Sequence, residues 1–277
     1  MKNTGFIAPQ TFANNYVLGN INVPFKVLKE DGDWTANKRP EKELQIAHNY
    51  DTYNCTSFNT LNQIEQYMYV AFGETVNYSD RWLGIVAGTR PPGNDPHIVM
   101  EAIRKYGLIP ESMLPFTMDI GTVDEYYSFK NADEEACRAE GLRWLEKNDF
   151  KHEWCFLPNQ DIPLEEKIHN MKLSLKASPL SIAVYAWALD SRGVYIRYNN
   201  ADTHWTSCYK IDDLQRVFDS YDPIEKNVNQ EIFYAKRIHI EKRVVEVKKK
   251  LLERLLAWLL VEKLIYRAFK IFWIKNK

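Results

Sequence analysis

The chain has 277 residues, 45% hydrophobic and 13% aromatic, which supplies one large core or two smaller ones and excludes a disordered chain. Its net charge of −1 hides an asymmetry: residues 241–277 hold eleven Lys/Arg against four Glu, a surplus of seven, so the first 240 carry −8, and no nucleic acid partner is expected for that acidic body. Four cysteines at 55, 137, 155 and 208, widely and irregularly spaced, exclude a zinc module and a disulfide framework and fit synthesis in a reducing compartment.

In chain order, residues 1–40 hold Gly5, Pro9, Gly19 and Pro24 in loop-like company and read as an extended arm laid over the domain that follows, 41–240. The arm has no apolar run of signal-peptide length, so classical secretion is not expected. Asn49, Asp51, Thr52 and Asn54 then suit a turn and a helix start, and Phe58, Leu61, Ile64 and Met68 recur at the steps of a buried helical stripe. Cys55 therefore falls on the first helical turn, where orphan N–H groups and the helix dipole favour thiolate over thiol. Further helices are expected with Ser79 and Asp80 as cap, from Asn94–Pro96 to a C-cap at Gly107 with Ile98, Ala102 and Tyr106 inward, and over 132–148 and 163–177.

Beyond residue 178 the pattern changes to β-branched and aromatic runs at 179–187, 193–199, 205–211, 216–222 and 231–240. The order, helices first and strands second, predicts an α+β fold. His204 adjoins the third run, and Asp219, 15 residues on, lies in the next run beyond a turn at Asp212 and Asp213. That is a base with an orienting partner within hairpin reach. Free cysteines are usually packing residues, so it is this second stretch that makes Cys55 a candidate nucleophile.

NCTSF around Cys55, GDW at 32–34, SPLSIAVYAW at 178–187, His204 and DSY at 219–221 together resemble the papain-like cysteine peptidases. The 149 residues from Cys55 to His204 agree with that family's spacing. YSDRWLGIVAGT, GNDPH, GLIPESMLPF and VFDSYDP are similar to the one-domain form predicted in tailed bacteriophages, and the resemblance covers residues 5–240. It implies a two-lobed papain-like fold, with a helical lobe carrying the cysteine and an antiparallel β lobe carrying the histidine. It also implies hydrolysis of a peptide or protein substrate, without cofactor or metal, in the host cytoplasm or the virion. Cys55 would attack as thiolate, His204 would serve as base and then acid, and Asp219, where papain has Asn, would orient the ring. The oxyanion donors would be the Cys55 N–H and Asn49, six before the nucleophile where papain has Gln, with Gln45 as the fallback. Tyr221 falls where the family has a shielding tryptophan.

His48 reads as a loop histidine, His97, His152, His169 and His239 lie at no metal spacing, and Cys208 reads as a buried strand residue. Residues 241–277 form a basic, very apolar amphipathic helix or helix pair whose longest uncharged run is seven residues, too short to span a bilayer. It is expected to bind a partner or itself, to lie on a membrane surface, or to fold back on its own domain. The rival to a peptidase is a catalytically silent papain-fold adaptor of a phage particle, anchored by that helix.

Overall fold

One helix carries the architecture of this computed structural model, which describes residues 5–9, 16–20, 22–36, 44–158, 161–221 and 224–243. Helix α1, Cys55–Phe72, is buried from Cys55 through Met68 on every side, as a central helix must be. Its apolar side chains Leu61, Ile64 and Met68 enter a core shared with the other helices. Two of its polar side chains, Asn59 and Gln63, reach main chain on the sheet side. Asn59 Nδ2 donates to the carbonyls of Cys55 (2.9 Å) and Trp205 (2.5 Å), and Gln63 Nε2 to those of Pro179 (2.6 Å) and Lys236 (3.2 Å). The helix ends at Gly73, whose φ of 70° provides the left-handed C-cap.

Two further helices pack directly against it. Helix α2, Asp80–Val86, is capped by Ser79, and α3, Pro96–Tyr106, by Asp95 with proline in its first turn. On α3 the inward stripe differs from expectation. Ala102 is buried and Tyr106 half-buried as expected, but Ile98 is 49% exposed and Val99, Met100 and Ile103 fill the inward face in its place. After the short α4, Val123–Tyr126, comes α5, Glu134–Lys147, capped by Asp133. It crosses the end of α3 so closely that a Cβ on Gly107 would lie 2.0 Å from the Gly141 carbonyl oxygen.

The strands are β1, Gly5–Phe6; β2, Gly93–Asn94; β3, Asn148–Trp154; β4, Leu180–Leu189; β5, Tyr195–Ile211; β6, Gln215–Phe218; β7, Lys226–Asn229; and β8, Ala235–Lys242, with α6, Leu164–Leu175, between β3 and β4. β1 and β2 form a parallel pair, and the other six a sheet in the order β3-β8-β4-β5-β6-β7. The runs expected at 193–199 and 205–211 are one strand, β5, and register shifts in its pairing with β4 absorb the turn-like residues between them. The start of β5 also pairs with β7, so the sheet curls. β6 ends at Phe218, which puts Asp219 just beyond the strand rather than on it. β3 and β7 are strands that periodicity did not predict. The sheet has its own core, with Trp34, Met171, Leu180, Ile182 and Val217 buried against one another.

The architecture is thus mixed α+β, with a helical core and a sheet core on either side of α1. The chain divides into two units, Met1–Glu241 and Lys242–Lys277. The amphipathic helix expected over 241–277 lies outside the described residues from 244 onward. Among the described residues no helix is long and apolar enough to cross a membrane.

Candidate active site

The start of α1 meets β5 at the residue next to His204. Asn59 clamps the Cys55 and Trp205 carbonyls together, and the Trp205 N–H reaches the Cys55 thiol. Cys55 is the first residue of the helix, yet Asn54, the residue before it, makes no side-chain cap. Its amide instead donates to Asp80 O (2.9 Å) and Tyr126 Oη (2.8 Å), anchoring the turn to α2 and α4. Tyr53 has a φ of 58°, a left-handed conformation that costs a bulky residue about 1–3 kcal/mol. The Tyr53 N–H bond to Asp51 Oδ1 (2.8 Å) helps to hold it.

Behind His204 a second layer ties the loop before α1 to the end of β6. The Tyr221 ring lies 4.8 Å from the imidazole, centroid to centroid, and its hydroxyl donates to Asp51 Oδ2 at 2.7 Å. Gln45 is fully buried. Its Nε2 donates to Asp51 Oδ1 (2.8 Å), its Oε1 accepts from Ser220 Oγ (2.5 Å), and its N–H donates to Ser220 O (2.8 Å). Asn49 is exposed on the same loop. Asp219 is buried, with Oδ1 accepting from the Tyr221 N–H (2.7 Å) and Oδ2 lying 2.9 Å from Lys226 Nζ.

The arm lies on the sulfur. β1 pairs with β2, and the Ile7 N–H donates to Asn94 O at 2.9 Å. Phe6 stacks on Trp205, with centroids 5.6 Å apart and planes 2° from parallel. A Cβ on Gly5 (φ 120°) would sit 2.7 Å from Cys55 Sγ, and one on Gly93 would strike the Gly5 backbone, so the approach needs glycine at both positions. The thiol is fully buried, in an apolar cluster with Phe6, Trp154, Ala183 and Trp205.

Burial therefore pushes the Cys55 thiol well above the ordinary cysteine range, with Asp51 and Asp219 adding to the rise and the Trp205 and Thr56 N–H groups opposing it. The helix start alone predicts the opposite sign. Desolvation under the arm outweighs the dipole.

Spacing missed one cluster. His97, Glu101 and His152 bring potential ligand atoms within 4.8 Å of one another, because β3 carries His152 to α3. Most of these groups already have protein partners. His152 Nε2 is 2.9 Å from Glu101 Oε1, Arg104 donates to both Glu101 oxygens, and Lys236 Nζ is 3.4 Å from His97 Nδ1 and 3.9 Å above the Trp154 ring. Burial pulls Lys236 down to about 7, His97 to about 4 and His152 to about 3. The cluster reads as a hydrogen-bonded brace between α3, β3 and β8, anchored on the Arg104–Glu101 ion pair. His48 packs on Phe116 at 4.2 Å, and Cys208 is a buried strand residue whose thiol burial pushes up to about 12.

No protein-family profile matches this chain, and no curated protein matches it. Solved structures do. Xylellain, a cysteine protease from Xylella fastidiosa, superposes with a TM-score of 0.56 at 13% identity, covering 87% of this chain and 97% of its own. Digestive procathepsin L 3 of the Tenebrio molitor larval midgut gives 0.52 at 14%, covering 82% of this chain and 76% of its own. At such identities the likeness is one of fold, and the fold shared is that of papain-like cysteine proteases.

Proposed function

We propose that this chain is a cysteine peptidase that cleaves peptide bonds through Cys55, His204 and Asp219. The observation that carries the reading is the Asn59 clamp, which holds the Cys55 turn against the residue adjoining His204 in a fold shared with cysteine proteases.

In the reaction the Cys55 proton passes to His204 and the thiolate adds to the scissile carbonyl carbon. The oxyanion takes bonds from the Cys55 N–H and a side-chain amide. Burial beside Asp51 and Ser220 favours Gln45 for that role over the exposed Asn49. The C–N bond breaks as His204 protonates the leaving amine, which leaves a thioester on Cys55. Water, losing its proton to His204, then releases the acid and restores the thiol. Asp219 orients the imidazole, and the Tyr221 ring covers it. Each step needs the arm displaced, because Gly5 and Phe6 occupy the space over the sulfur.

The finer reading, carried by the resemblance of the segments at 78–97, 107–116 and 217–223, is a phage-encoded enzyme acting on virion, host or cell-wall peptide in the host cytoplasm or the virion. Residues 241–277 would tether it to a protein partner, a second copy or a membrane surface. The complete burial of Cys55 favours the rival, a silent adaptor of the same fold. An epoxide inhibitor of papain-like enzymes separates the two. Labelling of the native chain but not of Cys55→Ala supports the peptidase, and a native chain left unlabelled after the arm is removed supports the adaptor.

A further inference from the structure

Lys226 opens β7 opposite Val217 of β6, a register that turns its side chain inward toward Asp219, two residues past Val217. Its side chain is 3% exposed and that of Asp219 1%, with Nζ and Oδ2 2.9 Å apart. Both groups are charged in their ordinary states, and neither is tolerated unpaired at such depth. Lys226 Nζ also lies 3.4 Å from Ile224 O and 5.9 Å from the centre of the Tyr195 ring. The other Asp219 oxygen is held by the Tyr221 N–H, so the carboxylate is fixed from two sides. Among the described residues, other titratable side chains around this end of the site include Cys55, Asp51, Tyr221 and Tyr127.

A bare carboxylate behind an imidazole raises the ring's basicity, whereas an amide in the same place only orients it. We propose that Lys226 is a positioning residue that offsets the charge of Asp219, so that the pair orients His204 as a neutral amide would while keeping the geometry of a carboxylate. The inference rests on the peptidase reading for its purpose and on the buried ion pair for its physics. Lys226 then sets the pH at which His204 exchanges its proton with Cys55 and the leaving amine. It does so without touching either.

The test is the pKa of the His204 ring, followed by histidine-labelled NMR in the full chain and assigned with His204→Gln. Lys226→Met should raise that pKa by about one unit, because the Asp219 charge is then uncompensated. Lys226→Arg should hold it at the native value. If Lys226→Met fails to fold, Asp219→Asn/Lys226→Met replaces both charges together and should titrate within about 0.3 unit of native, whereas Asp219→Asn alone, leaving an unbalanced ammonium, should titrate lower. A His204 titration that is the same in native and Lys226→Met protein, or unmoved by Asp219→Asn, overturns the proposal. The outcome is separable from the peptidase reading: a ring that responds as described in a chain whose Cys55 never labels would sink the peptidase and leave the charge coupling standing.

Discussion

Phe6→Ala tests whether the arm controls access to Cys55. Phe6 is 7% exposed, stacked on Trp205 and tilted against Tyr234 with centroids 5.4 Å apart. Removing the ring forfeits about 2 kcal/mol of burial and about 0.5–1 kcal/mol of ring pairing. The rest of the attachment, β1 on β2 and the Ile7 bond to Asn94, is main chain and survives the substitution. The loss falls on the closed arm alone, so the open population should rise about 60- to 140-fold, at 1.4 kcal/mol per tenfold. Opening also rehydrates the thiol and lowers its pKa, which acts in the same direction. The assay is alkylation of the full chain by iodoacetamide at pH 7, read at each cysteine by peptide mass spectrometry. Cys137, Cys155 and Cys208, buried elsewhere, serve as internal controls. A Cys55 rate less than threefold above native, with the circular dichroism unchanged, would show that reagent reaches the sulfur by a route other than arm lifting.

Asn59→Ala strips a donor from two buried carbonyls and should lower the unfolding free energy by about 2–5 kcal/mol in urea; a loss under about 1 kcal/mol would mean that water replaces the amide. Gly107→Ala drives a Cβ into the Gly141 carbonyl and should cost about 3 kcal/mol or more, whereas Gly19→Ala, with open space around it and φ 93°, should cost about 1 kcal/mol, both read by thermal melts. Lys236 has a folded pKa of about 7 against an ordinary 10.5, so between those values the unfolded chain binds the extra proton and stability rises with pH. The urea midpoint of the native chain should therefore climb from pH 7 toward pH 9 and that of Lys236→Met should climb less; parallel slopes would refute the assignment.

Much of the helical half was legible because its signals are local. The stripe of α1, the cap at Ser79, the helix opening at Asn94–Pro96, and Gly107 each report a structural demand made within a few residues. What escaped depends on distant partners. β3 reads as polar because Glu153 is buried through an ion pair with Arg237 at 2.5 Å, and β7 because one of its two inward residues is Lys226. The same limit hid the His97–Glu101–His152 cluster, whose third member comes from another element. Within the site, sequence identified Cys55, His204 and Asp219 as candidates but could not tell whether Gln45 or Asn49 is buried, since loop length alone does not say which amide turns inward. The sign of the Cys55 pKa also escaped it, because two short residues of the arm, far upstream, decide the thiol's exposure to water.

The amide N–H groups of Asn59 and Gln63 grip main-chain carbonyls at Trp205, Pro179 and Lys236, while Ser181 Oγ adds one side-chain bond to Gln63 Oε1. A carbonyl is present whatever amino acid carries it, so substitutions along β4, β5 and β8 can accumulate without releasing the helix. Two side-chain amides on one helix thus make the docking tolerant of sequence drift in the sheet, and a search for remote kin of this chain should weight those two positions above any strand residue they hold.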